Sequence, residues 1–366
     1  MKTEMEPSKT LLGWGTPKEW GIVALTAFLA GLIARIPLLF DIDPEYFYPR
    51  NIGSIVFPAL LLYLFWKRPL PLRQFLVAFS LMITSIIFLN LLPGNEDSPV
   101  FVLSALHIPV LFWFLFGYVY LGTEWRNPSQ RVAFLRYNGD LLVMGGLIVL
   151  AGILFTALTI GVFDLIGFQI EQFYFDYIAL WGLSAIPVVT AFLLFNNTAL
   201  VSKIAPLIAK IFAPLAFLML LIFSVAIHFS DKNLFIDRAL LLAFNIILIA
   251  VLALILFSLT DHDSGGKSKF QLLILFLLAG LCLLDNLFAL SALGSRLFAY
   301  GFSANRTALL GLNLLMLTHL LSIAKQLFSA VRGRGDLILI EKSIGFFLPI
   351  YAIWVALVAF LFPLFF

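Results

Sequence analysis

Charge is what this sequence has least of. Only 12% of its 366 residues are Asp, Glu, Lys or Arg, where a soluble domain carries roughly 25%. Hydrophobic residues make up 62%, and the mean hydropathy is +1.05. So few charges cannot cover a water-facing globule of this length, and a bilayer must be the main solvent. Cysteine is also scarce. The single Cys282 excludes an intrachain disulfide and, inside an apolar run, reads as a small packing residue.

Histidine is sparse and dispersed. The four histidines show no metal-ligand spacing to a second ligand, and Walker, HExxH, CxxC and GxSxG patterns are absent. Neither a metal nor a cofactor is therefore expected, although Asp261, His262 and Asp263 in "DHDSGG" form a turn that could hold a cation loosely. A net charge of +3 gives no large basic field, so nucleic acid is not an expected partner. The opening "MKTEMEPSKTLLGWGT" has mixed charge and no apolar core ahead of a cleavage site. Residues 1–18 read as a cytosolic lead, and 19–366 as one transmembrane helical domain.

What the chain has in abundance is long apolar runs. A span needs about 20 mostly apolar residues. By that measure an all-α, polytopic bundle of about eleven helices is predicted, beginning near Glu19, Ile52, Leu72, Pro99, Asp140, Tyr177, Ala205, Asp237, Phe270, Arg306 and Glu341. The second, Ile52 to Trp66, is short enough to be tilted, broken or interfacial. "LPGNEDSP" and "DHDSGGKSK" punctuate the runs as turns. With the N-terminus in the cytosol and the spans alternating, 17 of the 23 basic residues fall inside and 6 outside. This positive-inside asymmetry predicts a cytosolic N-terminus and an external C-terminus. The outer segments "DIDPEYFYPRN" and "QIEQFYFDY" are acidic and aromatic, as an interfacial belt or a headgroup- or sugar-binding surface would be.

Inside the apolar runs lies a thin set of polar residues. In "CLLDNLFAL", Asp285 and Asn286 stand about eight residues short of an outer helix end near Leu293, roughly 12 Å deep. Arg35, His107, Asn245 and Asn313 fall at similar depths on four other helices. An ionised carboxylate in hydrocarbon costs about 2.5 kcal/mol or more, so Asp285 needs a partner or water. Arg35 is the candidate counter-charge and His107 the candidate proton partner. Adjacent helical residues point about 100° apart, so Asp285 and Asn286 must face different neighbours. Asn and His at such sites, His319 included, also serve as bonds between helices.

Three stretches resemble a known family. They are "RYNGDLLVMGGLIVLAGILFTALTIGVFDLIG", "KIAPLIAKIFAPLAFLMLLIF" with "DRALLLAFNIIL", and "AYGFSANRTALLGLNLLMLTHLL". Over residues 130–330 they are similar to the bacterial multi-pass membrane family known as domain of unknown function 4153. The motif residues are Arg136, Asn138, Gly139, Asp140, Asp237, Arg238, Asn245, Tyr300, Gly301, Asn305, Arg306 and Asn313. The resemblance implies a bacterial inner membrane and no defined activity. Asp140 and Asp237 read as helix starts, where a carboxylate meets the positive end of the dipole. Gly301, with Ser303 or Asn305 as a cap, reads as a turn.

Three functions stay open on this reading. The first is a permease or exporter of a small or lipid-like solute, with a polar cavity open to the outer face and proton coupling through Asp285. The second is a membrane enzyme on a lipid-linked substrate, with His107 or Asp285 as general base and Asp41, Asp43 and Glu45 as outer candidates. The third is a non-catalytic partner or sensor. Membrane lipids are the expected surroundings in each.

Overall fold

Backbone polar groups have no water to bond in hydrocarbon, so apolar runs of this length close their hydrogen bonds within helices. The computed structural model describes residues 13–94, 97–197, 204–229, 237–260 and 267–366, and every regular element among them is helical. Most of the N-terminal lead and the "DHDSGG" turn lie outside the described residues.

Among the described residues eleven long helices follow one another. They are α1 (Pro17–Ala34), α2 (Pro44–Lys67), α3 (Leu72–Leu91), α4 (Pro99–Leu121) and α5 (Pro128–Leu165). Next come α6 (Glu171–Asn196, through one π-turn), α7 (Ile204–Ala226), α8 (Arg238–Thr260), α9 (Lys269–Tyr300), α10 (Ala304–Val331) and α11 (Leu337–Ala356). A π-turn carries α11 on to Phe365. Nine of these, among the described residues, are long and apolar enough to cross a membrane. The other two are α2, which carries Arg50, Asn51 and two internal prolines, and α7, whose described apolar stretch is Ile211–Ala226.

Three sequence expectations change. The short second helix is 24 residues long, because Asp43 caps it by accepting from the Glu45 amide at 2.9 Å. The "outer-loop" acids Asp43 and Glu45 are thus a cap and a first turn. Helix α5 begins at Pro128, so Asp140 sits more than three turns inside it and is not a helix start. Helix α9 runs to Tyr300 and not Leu293, which places Asp285 near its middle.

The helices sort around two apolar cores. One is built from α1 to α4 with α6 and includes Leu61, Tyr63, Met82, Phe112 and Phe192. The other is built from α7 to α11 and includes Leu220, Leu248, Cys282, Leu320 and Ile344. Helix α5 bridges them: Phe134 and Tyr137 enter the first core while Val132 and Leu135 enter the second. Beyond Gly139 the same helix keeps only one side on the bundle, where Leu141, Val143 and Met144 pack on the first core and Thr156 bonds the Tyr174 hydroxyl at 3.3 Å, while Leu150, Leu154, Phe155 and Leu158 are all exposed. In a bilayer such a surface faces lipid.

Candidate functional site

The polar residues of the second core are brought together by a hairpin. Gly301, at φ +70, ends α9 in a conformation that a side chain disfavours, and the chain reverses into α10. Asn286 lies fifteen residues before Gly301 and Asn313 twelve after it, so the two antiparallel helices carry them face to face. Asn286 Nδ2 donates to Asn313 Oδ1 at 2.8 Å. Asn313 Nδ2 donates in turn to Asn245 Oδ1 on α8, and Asn245 Nδ2 to the Leu241 carbonyl at 2.8 Å. All three side chains are at most 1% exposed. The chain of amides ties α8, α9 and α10, and Asn286 Oδ1 has no hydrogen-bond partner among the described residues.

One residue earlier, Asp285 points another way, as the 100° step requires. Its carboxylate, 3% exposed, accepts from the Ser224 hydroxyl of α7 at 2.9 and 2.8 Å to its two oxygens. Asp285 therefore connects α9 to α7, and Asn286 connects it to α10 and, through Asn313, to α8. About two turns from Asn313 along α10, His319 stacks on Phe347 at 4.3 Å between centroids, with Nδ1 3.3 Å from the Tyr351 hydroxyl. These last two rings belong to α11, so all five helices of the second core contribute polar groups to its interior.

Arg35 and His107 stand elsewhere. Arg35 ends α1, which packs on α2 and α6, and its guanidinium lies 4.4 Å from the Tyr177 ring centre. His107 Nδ1 is 2.8 Å from the Leu103 carbonyl, one turn back in α4. Similar depth placed these two residues with Asp285; helix order in space separates them.

The motif residues take local positions. Asp237 caps α8 by accepting from the Leu240 amide at 3.0 Å, and Arg238, its first residue, is exposed. Arg306 Nη2 donates to the Tyr300 carbonyl at 3.1 Å and closes the hairpin turn. Ser303 stands at the cap without a side-chain bond, and Asn305 is half-buried in the first turn of α10. Arg136 bonds Glu341 of α11 at 2.7 Å. Asn138 Oδ1 accepts from the Trp113 indole at 2.8 Å.

Sequence reasoning missed two features. Ser224 gave no signal, since serine is an ordinary residue in apolar helices. The second is a buried polar knot in the first core. Glu19 of α1, 3% exposed, accepts from Lys67 Nζ at 2.6 Å, Tyr63 hydroxyl at 2.9 Å and Asn196 Nδ2 at 3.0 Å. Lys67 also reaches Asn196 Oδ1 at 3.1 Å. The knot joins the ends of α1, α2 and α6. Its members lie up to 177 residues apart, and each alone reads as an interfacial residue.

No family model matches the chain, and neither a curated protein nor a solved structure matches it.

Proposed function

We propose that this protein is a multi-pass permease or exporter of a small or lipid-like solute, with the polar interior of α7 to α11 as its pathway and Asp285 as its proton-coupling group. The observation that carries the reading is the Asp285 carboxylate, 3% exposed at the middle of a 32-residue apolar helix and held by Ser224. A charge there is expensive to keep, and such residues mark solute and proton paths. Two cores joined by the bridging helix α5 supply the kind of parts that rock against each other during alternating access. The polar cavity open to the outer face that the sequence suggested is not seen among the described residues: Asp285, Asn286, Asn245 and Asn313 are each at most 3% exposed, so the proposal requires a second arrangement that opens them. The proposal includes a bacterial inner-membrane location, a cytosolic N-terminus and membership of the family that residues 130–330 resemble; the distribution of Lys and Arg supports the orientation.

The asparagine chain favours a second reading. Three amides sealed at 1% exposure or less bond one another in series, with Asn286 Oδ1 left over, as residues that hold helices together do. On that reading the protein is a non-catalytic membrane partner or sensor.

Thiol accessibility separates the two. In a Cys282→Ser background, Ser224→Cys is placed in vesicles and treated with a membrane-impermeant thiol reagent on each side. A permease predicts labelling from at least one side, at a rate that changes with pH and loses that dependence in Asp285→Asn. Labelling without any pH dependence would remove the proton coupling and keep the pathway. Absence of labelling from both sides, together with full tolerance of Asp285→Leu, would overturn the permease reading in favour of the partner.

A further inference from the structure

Where α4, α11 and the start of α5 meet, the bundle is open. Gly345 lets α11 approach the Pro128 backbone with no side chain between them. Arg131 ties that joint by donating Nη1 to the Gly345 carbonyl at 2.9 Å. From the next turn of α11 onward the helices stand apart around a cleft of about 220 Å³. Trp113 and Tyr118 of α4 face Leu348 and Pro349 of α11 across it, and Trp125 and Arg131 close one end. A drug-sized ligand takes a pocket of roughly 300–1,000 Å³. This smaller, greasy slot suits a stretch of hydrocarbon chain.

The charged end gives the slot a polarity. Arg131 donates Nε to the Trp125 carbonyl at 2.8 Å and Nη2 to the Arg126 carbonyl at 3.3 Å, besides its bond to Gly345. A guanidinium has five N–H donors, so two remain. Arg131 pairs with no carboxylate among the described residues, and its three acceptors are neutral carbonyls. Arg126 is exposed beside it, its guanidinium 5.0 Å from the Trp125 ring centre. Lys342, also exposed, lies seven residues before Pro349, two turns away on the same face of α11. Of the nearby acids, Glu341 is occupied by Arg136, which leaves Glu124 as the acid of the connecting turn. Arg131 thus lines one end of an aromatic apolar slot between two helices, with Arg126 beside its neighbour Trp125 and Lys342 two turns before Pro349 on the helix that walls it.

We infer that this cleft is a binding site for an anionic glycerophospholipid. One acyl chain lies between α4 and α11, and the headgroup phosphate accepts from Arg131, Arg126 and Lys342. Basic residues at the ends of membrane helices recognise anionic headgroups in this way, and the two tryptophans and the tyrosine supply the flat amphipathic wall that interfacial lipid favours. The site is separate from the polar interior of α7 to α11 and does not depend on what that interior does.

Native mass spectrometry of the intact protein tests it. The protein is purified in mild detergent and offered phosphatidylglycerol and phosphatidylcholine of identical chains in equal amounts. Retention of phosphatidylglycerol over phosphatidylcholine is expected, lowered about fivefold by each of Arg126→Gln and Lys342→Gln. Ala352→Phe, which fills the cleft and leaves every charge in place, should abolish retention. Equal retention of the two lipids would overturn the site. So would retention that survives Ala352→Phe, since a basic rim alone would then account for it. If Ala352→Phe does not fold, competition with chainless glycerophosphoglycerol decides: failure to displace the lipid supports a seated chain, and displacement refutes it.

Discussion

Removing Lys67 should damage the protein more than neutralising the carboxylate it bonds. Glu19 is 3% exposed and keeps only two neutral donors, Tyr63 at 2.9 Å and Asn196 at 3.0 Å, once Lys67 is gone. Breaking a buried pair by deleting one partner costs about 3–5 kcal/mol, because the other charge stays desolvated. Glu19→Gln has a different consequence. Lys67 is 22% exposed, so its ammonium turns to water and the loss is that of a charge-assisted bond, about 1.5–3 kcal/mol. Unfolding entropy of about 2.1 cal/mol/K per residue gives about 0.8 kcal/mol/K for a chain of 366 residues. Lys67→Met should therefore lower Tm by about 4–6 °C and Glu19→Gln by about 2–4 °C. The double variant should lie well short of the sum, since the buried charge left by the first change is gone. The assay is at hand in the sequence. Cys282 is fully buried in the other core, so a thiol-reactive dye reports unfolding as that sulfur becomes accessible. A Lys67→Met shift no larger than that of Glu19→Gln, or strict additivity, would refute the argument that the burden is an uncompensated carboxylate.

The remaining predictions use the same readout. Asn313→Leu removes the middle of the amide chain and leaves Asn245 and Asn286 short of a partner, at a cost of about 1–3 kcal/mol; Asn245→Leu, at its end, should cost less. Gly345→Ala places a methyl group into the Pro128 backbone, which cannot move aside like a side chain, and should lower Tm sharply. Gly146→Ala, in α5 with open space around it, should raise stability by about 0.5–1 kcal/mol. Equal effects of the two glycine changes would show that helix propensity, and not the α5–α11 contact, sets the response.

Much of the architecture was legible because a bilayer imposes a one-dimensional rule. Each run long and apolar enough to cross had to close its backbone bonds within itself, so an all-helical chain followed from composition, although of about eleven expected spans nine helices among the described residues are long and apolar enough to cross. The misplaced ends have local causes. A proline and an asparagine cap at Pro128 and Asn127 start α5 well before its apolar part, and α9 continues two turns past the residue where hydropathy falls. The hairpin at Gly301 was legible too, as was the divergence of Asp285 and Asn286, since both follow from helix geometry alone.

Which polar residues would meet was decided only by the packing of helices. Depth is a coordinate that sequence can count, and it put Arg35, His107 and Asp285 in one slab. Position around the bundle is not, and it sent Arg35 to Tyr177 and joined Asp285 to Ser224. Apolar helix surfaces resemble one another, so hydrophobicity leaves their neighbours undetermined. Close approaches such as Gly345 on Pro128, and pairings such as Glu19 with Lys67, settle them. The sequence thus determined a membrane bundle with a few costly polar groups, and the tertiary structure alone determined which of them answer one another.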